Sequence, residues 1–468
     1  MKFPVSLARS IALATLLLLL SSIARHILFQ SNALDLGWFD QGTYLISRGK
    51  NPIVSFVGYH ILGDHAAFIF YPIALFYKIY PSVYWLFLIQ ALSLSIGAFP
   101  LWQLSVQAGL KERQALAVSI VYLLYPLVFN VNLFDFHPEV IAVPAILWAV
   151  LAARSNRFWL FCLALLVIVS CKAILSLTVA GMGFWLFVFE KKRKCGSIAL
   201  ISGTIWFIVT AKILIPLLTG KDAAAEMADS RYSYLGESLG EIIRNLFLSP
   251  DRVFSHLFTG ANLEYLILLF IPVIPFLSPR TLAPLTAAIP ALALNLLADH
   301  FPQKNITTQY SLPILPFLFL AVIATLANGG GWLRKPKWMI LWATIAFVAL
   351  AKYGYFWSRY LTTLDTWQAT RQAVAAVKTN GAVLTTASIA PHLTQREDIQ
   401  LAIEGSEKLD LSRFEYIILD RRHPGWSSSP ERIDFWLDRV RDDRNFKLVF
   451  ERDDVFFYKS VTKNDETE

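Results

Sequence analysis

Cysteine is scarce in this chain, with three in 468 residues. Cys162, Cys171 and Cys195 lie in or beside apolar runs and have no metal-ligand spacing, so they read as small apolar residues. The segments outside those runs therefore hold no disulfide. A Walker loop, a dinucleotide glycine fingerprint, a GxSxG elbow and an HExxH zinc site are all missing, which counts against an ATPase, a hydrolase or a zincin. No paired discontinuous helices mark two inverted halves, as they do in many transporters. Charged residues make up only 16% of the chain, against 56% hydrophobic and 14% aromatic, with a mean hydropathy of +0.50. That is too apolar for a soluble chain of this length.

What the chain does have is a recurrent switch, between residues 9 and 353, from apolar stretches to short loops. Positive charge falls on alternate loops: Lys2/Arg9, Lys111/Arg113, Arg154/Arg157, Lys191 to Lys194, Arg280, and Arg334/Lys335/Lys337. About 18–20 apolar residues span a bilayer core, and Lys and Arg in short loops mark the cytoplasmic side. These loops supply much of the formal charge of +8, so no nucleic acid is needed to explain it. The other loops, rich in Asp, His, Tyr and Asn, are expected outside.

The spans expected on this basis are roughly 9–29, 83–104, 114–130, 139–153, 157–172, 174–190, 196–217, 262–278, 281–298, 312–328 and 337–353, about eleven in all. Residues 64–80 are also apolar, but a crossing there would turn the later basic loops outward. With Pro72, Lys78 and many aromatics, this segment reads as an interfacial or re-entrant helix. In the first segment, Ser22 and Ala24 suit a signal-peptide cleavage site, whereas the return to Ile27-Leu28-Phe29 suits an uncleaved anchor. Either reading leaves Gln30 onward outside.

Past residue 353 the character changes. Thr366–Thr379 and Glu431–Arg441 have helical periodicity, Ala382–Ala387 and Phe414–Leu419 read as strands, and Phe446–Glu451 with Val455–Lys459 form a hairpin signal. The expected fold is an all-α polytopic membrane domain over 1–353, with interfacial helices in its first external loop. A small α/β extracytoplasmic domain follows over 354–468. The acidic stretch Lys463 to Glu468 is expected to be disordered.

Ionisable groups in or beside a bilayer are expensive, so each is a candidate functional position. Asp35 and Asp40 follow the first span. Trp38, Phe39, Tyr44, Leu45 and Ile46 suit the apolar side of a helix lying on the membrane, with Asp40, Gln41 and Arg48 on the other side. Helix capping and interfacial polarity explain Asp40 equally well. Arg25 and His26 can reach up to the headgroups. In Phe134-Asp135-Phe136-His137-Pro138-Glu139 the acids and the imidazole alternate, so an extended loop would point them one way, as a divalent metal or a general base requires. Capping by His137 and helix-dipole pairing of Glu139 explain the same residues without function. Asp64 and His65 add an acid and an imidazole on the same side. Lys172 at the external end of a span either pairs with a carboxylate or holds an anion. Arg231, followed by Tyr232 and Tyr234, suits a phosphate or a sugar, and equally a packed loop. Asp299-His300 and Gln309-Tyr310 bracket the last long external loop.

The segments DLGWFDQGTYLISRG, Asp64-His65, FDFHPE, the Lys172 region, RYSYLG, TTASIAPHLTQRE and YIILD, in that order, resemble an uncharacterised bacterial membrane family, domain of unknown function 2079. That family is similar, more distantly, to the GT-C glycosyltransferases. The resemblance implies transfer of a sugar from a polyprenyl-phosphate carrier outside the inner (plasma) membrane, with membrane lipid as a further partner. It implies an acidic residue in the first external loop as the catalytic group, where Asp35 and Asp40 stand, with Asp35 slightly favoured. Lys172, Arg231 and Tyr232 would bind the donor phosphate. Asp64, His65, His137 and Glu139 would position it or hold a metal, while His300, Gln309 and Tyr310 complete the external polar set. The family's acidic residues after the lysine are replaced here by Ala173 and Ile174, so no Lys–carboxylate pair is expected with the immediate neighbours. No cofactor is implied beyond that divalent metal. A transporter or lipid-handling protein, and a scaffold whose external domain binds a partner, stay open on the residues alone.

Overall fold

Helices dominate the structure, a computed structural model that describes residues 4–220 and 231–461. The acidic stretch expected to be disordered lies outside the described residues. Among the described residues, five helices are long and apolar enough to cross a bilayer: Val5–Ile27, Tyr84–Gln107, Glu112–Asn132, Arg193–Thr219 and Pro336–Leu361. A sixth arises if Pro250–Leu257 and Gly260–Phe270, bent by 56°, count as one span. Every expected span contains a helix, but Glu139–Arg154, Phe158–Cys171, Leu175–Val188, Gly260–Phe270 and Leu315–Ala327 are 16, 14, 14, 11 and 13 residues long. Each is shorter than the roughly 20 residues a full crossing takes. Phe70–Ile79, in the segment read as interfacial, has 10 residues and so is about 15 Å long, half a hydrocarbon core.

The chain divides into two compact units. One comprises Met1–Leu20, Leu62–Ile69 and Leu88–Lys352, the other Ser21–Ile61, Phe70–Phe87 and Tyr353–Glu468. The second thus includes parts of the first external region besides the C-terminal segment.

In the first unit, Leu175–Val188 and Arg193–Thr219 pack at backbone distance. A Cβ at Gly183, Gly196 or Gly203 would run into main-chain atoms of Leu200, Phe187 or Ser176 respectively. Small residues that let backbones approach are the usual basis of helix association in lipid, where apolar side chains gain nothing from leaving water. Leu163, Leu166, Ile201 and Ile205 remain exposed, an arrangement suited to acyl chains. Polar side chains inside the unit are bonded to main-chain groups of other segments. Asn130 donates to the carbonyls of Ile306 and Leu350 and accepts from the Lys352 amide, and Asn132 donates to the Leu18 carbonyl at 2.8 Å.

The second unit holds a two-stranded ribbon, β1 (Ile53–Val54) and β2 (Tyr59–His60). Its five-stranded sheet is built from β3 (Val383–Thr385), β4 (Ile399–Leu401), β5 (Tyr416–Asp420), β6 (Phe446–Arg452) and β7 (Val455–Ser460) in the order β4-β3-β5-β7-β6. β3 runs parallel to β4 and β5, and β7 antiparallel to β5 and β6. Alternation divides the side chains between two cores. Val383, Tyr416, Ile418, Val455 and Phe457 pack with Ala369 and Ala373 of helix Leu364–Ala376. Leu384, Ile417, Leu419, Phe456 and Tyr458 pack with Ile433, Trp436, Leu437 and Val440 of helix Pro430–Arg441. The hairpin expected around Arg452-Asp453-Asp454 is present, with positive φ at Asp453 and Asp454, 52° and 61°.

Two expectations about the first external region are corrected. Helix Trp38–Ser47 does not present a polar side to water: Asp40, Gln41 and Thr43 are as buried as Phe39 and Leu45. The polar side is covered by protein, where Gln41 donates to Ser55 and to the carbonyls of Arg396 and Glu397. Nor does His26 reach for headgroups. It is buried, bonded to Ser31 and stacked on His392 with ring centroids 3.9 Å apart. Burial holds His392 down at about 3, so the stack is made by a neutral ring.

Replacing Gly203 by Val puts a branched side chain against the Ser176 carbonyl and the Ala180 backbone. Thermal unfolding of the detergent-purified variant is expected to show a loss of roughly 1–3 kcal/mol, whereas Gly240→Val, where a Cβ meets nothing within 4 Å, should show no such packing loss.

Candidate functional site

The charged residues singled out in the sequence fall in two places. Asp64, His65, His137, Glu139, Lys172, Arg231, Tyr232, His300, Gln309 and Tyr310 all belong to the first unit, and Asp35 and Asp40 to the second.

In the first unit the backbone stitches distant segments together. The Ala173 amide donates to the His65 carbonyl at 2.7 Å and the Ile69 amide to the Ser170 carbonyl at 2.9 Å. These bonds fasten Asp64-His65 to the end of helix Phe158–Cys171, where Lys172 takes an extended conformation (φ −164°, ψ 141°). Lys172 Nζ donates to Glu139 Oε1 at 2.7 Å, with side chains 12% and 5% exposed. The lysine therefore does pair with a carboxylate, on a helix 33 residues earlier in the chain. Glu139 opens helix Glu139–Arg154, where the helix dipole favours its charge. Its other oxygen, Oε2, is buried and has no hydrogen-bond partner.

The remaining cation comes from the turn 231–235. Tyr232 and Tyr234 donate to the carbonyls of Leu294 and Leu297, both at 2.9 Å, and the Asp299 amide donates to the Arg231 carbonyl. Those bonds strap the turn to the end of helix Ile289–Leu297. Arg231 Nη1 donates to Gln303 Oε1 at 3.1 Å. Its guanidinium lies 5.5 Å from the centre of the Tyr310 ring, and Lys172 Nζ lies 5.9 Å from the same ring. His300 meets that ring edge-on at 6.2 Å. Two cations thus flank one aromatic ring, with Glu139 on Lys172. Asp64 is ion-paired with His65 and is held below the usual carboxylate range: burial pushes it up, but His65, Lys172 and Arg231 outweigh that. Gln309 is buried, and its Oε1 also lacks a partner.

The chain belongs to a known family. Its model, predicted membrane protein DUF2079, matches residues 25–457. No curated protein matches the chain. Among solved structures, the chain is similar to ArnT from Cupriavidus metallidurans bound to undecaprenyl phosphate, with a TM-score of 0.55 and 11% identity over 97% of this chain and 98% of that one. The apo form of the same protein gives a TM-score of 0.41, also at 11% identity, over 91% and 93% of the two chains. The likeness to the lipid-bound form shows a shared fold, and with the family match it makes this DUF2079 chain a multi-pass membrane protein.

Other expected residues have settings the sequence did not disclose. Asp135 has φ 95°, so the run from Asp135 to Glu139 is not an extended strand with three side chains on one side. His137 uses its amide to bond Gln90 and its ring to stack on Phe134 at 5.3 Å. Among the described residues no group of three His, Cys, Asp or Glu side chains is arranged to hold a metal ion. Tyr232 is buried, its hydroxyl donated to a carbonyl, so it anchors the Arg231 turn and has no open face for a sugar.

In the second unit, Asp35 is half-buried in the short turn Ala33–Gly37, whose N-cap Asn32 accepts from the Leu34 amide. Asp40 is 1% exposed. Tyr77 donates to its Oδ1 at 2.5 Å and Thr394 to its Oδ2. Burial raises this carboxyl to about 6 despite both hydroxyls. These bonds tie helix Trp38–Ser47 to helix Phe70–Ile79 and to the TTASIAPHLTQRE segment, with one hydroxyl on each carboxylate oxygen. Thr394 and Tyr77 were not picked out in the sequence; the only hint was that Thr394 lies in a segment carrying the family resemblance.

Two outcomes follow. The folded pKa of Asp40 is raised, so its contribution to stability is full below about 4 and is lost as pH rises through about 6. Melting between pH 4 and 7 should therefore show the wild type losing on the order of 1–3 kcal/mol relative to Asp40→Asn as pH rises; parallel profiles would contradict the assignment. Lys172→Met alone leaves Glu139 buried and uncompensated and is expected to cost about 3–5 kcal/mol. Adding Glu139→Gln should recover much of that loss in a double-mutant cycle.

Proposed function

We propose that this protein is a GT-C-type glycosyltransferase that takes a sugar from a polyprenyl-phosphate donor on the extracytoplasmic side of the membrane. The observation that carries the reading is the pair of cations, Lys172 and Arg231, flanking the Tyr310 ring in the multi-span unit. It is supported by a fold shared with a protein whose structure was solved with undecaprenyl phosphate bound. In the proposed topology, eleven helical segments cross, with the N-terminus cytoplasmic, the α/β region of 354–468 outside, and the enzyme in the inner membrane.

A polyprenyl phosphate is an anion on an apolar tail. As the glycosidic C–O bond breaks, the phosphate oxygen takes the electron pair, and fixed cations stabilise that growing charge in proportion to how little water surrounds them. Lys172 enters this role already paired, so an arriving phosphate competes with Glu139 for the ammonium. Arg231, held by Gln303 through one nitrogen, keeps further N–H donors for a phosphate oxygen. The unpartnered Glu139 Oε2 is an acceptor suited to a sugar hydroxyl.

The acceptor hydroxyl must also lose a proton as it attacks the anomeric carbon. The family resemblance assigns that carboxylate to Asp35 or Asp40, and Asp35 is favoured as the one nearer the end of the first span and the less buried of the two. Glu139 and Asp64 are the competing carboxylates.

Purified protein in nanodiscs should be stabilised against heat by undecaprenyl phosphate, and Arg231→Gln should weaken that binding roughly 10–100-fold. With a sugar-loaded polyprenyl phosphate, Asp35→Asn should lower transfer by about 10²–10⁴-fold while leaving lipid binding unchanged. If Glu139→Gln alone gives that kinetic loss, the base is misassigned. If no polyprenyl phosphate, with or without sugar, alters the protein's melting, a transport or scaffold role replaces the enzyme.

A further inference from the structure

The external region after residue 231 carries two short helices, Leu239–Leu248 and Pro250–Leu257, with the same apolar pattern eleven residues apart. Ile242, Ile243, Leu246 and Phe247 in the first correspond to Val253, Phe254, Leu257 and Phe258 at the second. On a helix of 3.6 residues per turn, each set forms one apolar arc about 140° wide. Protein covers only half of each arc. Ile242, Leu246, Val253 and Leu257 pack against Tyr232, Leu297 and their neighbours. The other half is bare: Ile243, Phe247, Phe254 and Phe258 are 50%, 80%, 57% and 82% exposed.

The bare half adjoins a membrane segment. Thr259 caps helix Gly260–Phe270 by accepting from the Asn262 amide. Asn262 in turn donates to the carbonyls of His256, Leu257 and Leu296, which fixes the 56° bend between Pro250–Leu257 and that apolar helix. Charged groups line the opposite side, with Glu241 and Arg252 exposed there and Arg244 and Ser255 exposed nearer the edge of the arc. A strongly amphipathic helix joined by a fixed bend to an apolar one is an arrangement suited to the bilayer interface.

We infer that residues 239–258 form an interfacial hairpin. Its Phe247/Phe254/Phe258 side is seated in the acyl boundary of the bilayer, and Arg244 and Arg252 reach the headgroup phosphates. The occupant is the bilayer itself, because the exposed apolar arc is continuous with the apolar surface of helix Gly260–Phe270, whose Leu263 and Ile267 are exposed as well. The seat also bears on the Arg231 turn. Asn245 donates to the Leu235 carbonyl, Arg252 to the Tyr234 carbonyl, and His256 stacks on the Tyr234 ring at 3.4 Å. A hairpin held by lipid therefore holds that turn.

Nitroxide accessibility tests the seat. In a Cys162→Ser background, where the two remaining cysteines are buried, Phe247→Cys, Phe254→Cys and, on the opposite side, Glu241→Cys are spin-labelled. Each is then placed in nanodiscs of phosphatidylethanolamine and phosphatidylglycerol. The labels at 247 and 254 should collide with oxygen in preference to a water-soluble nickel chelate, by a ratio about ten-fold above that of the label at 241. Equal ratios at all three positions overturn the inference. Spin–spin broadening at 247 that disappears on dilution with unlabelled chain also overturns it, by giving the arc to a second copy. Should Phe247→Cys not fold, Ile243→Cys reports on the same arc. No outcome depends on sugar transfer.

Discussion

Inside a bilayer a polar group has no water to fall back on, and every hydrogen-bonding atom that leaves its helix needs a partner in the protein. The first unit depends on that constraint more than on any single contact. Its helices break often, at residues 132–139, 171–175 and 297–315. The breaks free carbonyls and amides, some of which are taken up by Asn130, Gln90 and Asn262 and some by other main chain, as the Ala173 amide is by the His65 carbonyl. The breaks are also where the charged residues stand. Glu139, Lys172 and Tyr310 sit at helix starts, helix ends or irregular turns. The same departures from helix that cost hydrogen bonds supply positions where side chains from several segments can meet.

A buried ion pair is weak evidence for stability, since desolvation offsets most of the attraction. Lys172 and Glu139 are better understood as a charge held ready. In the proposed reading, the pair stands beside an aromatic ring and a guanidinium, so an incoming anion would meet preorganised charge, and Asp64 adds a second carboxylate to the cluster. Asp40 is the contrasting case. Its burial favours a proton against the pull of its two hydroxyl partners, and its bonds fasten three segments of the second unit together. Two acids five residues apart in one motif thus have different settings because one faces inward and the other does not.

The amphipathic pattern in residues 239–258 and that in residues 38–47 look alike in sequence, yet they are used differently. In Trp38–Ser47 the polar side is covered by the C-terminal segment, and Gln41 finds backbone carbonyls of Arg396 and Glu397 there. In the later hairpin the polar side stays exposed and half of the apolar arc has no protein over it. An apolar arc reports that something apolar covers it; which surface does so is settled by the chain's long-range path.

Sequence alone determined the class of this protein. Apolar runs of membrane length, basic loops in alternation and an ordered set of motifs made it a polytopic membrane chain of the DUF2079 type, because hydropathy and charge act locally and need no knowledge of contacts. Alternation and helical period likewise set out both helices of the α/β region and the 446–460 hairpin; the three-residue strand Ile399–Leu401 was too short to carry a period. Only the tertiary structure decided that Lys172 pairs with Glu139 instead of a neighbour, that Arg231 shares the Tyr310 ring with it, and that Thr394 and Tyr77 close on Asp40. Those partners are separated by 33 to 354 residues, and pairing at such distances is set by how the helices break and pack, for which a single sequence has no periodic signal.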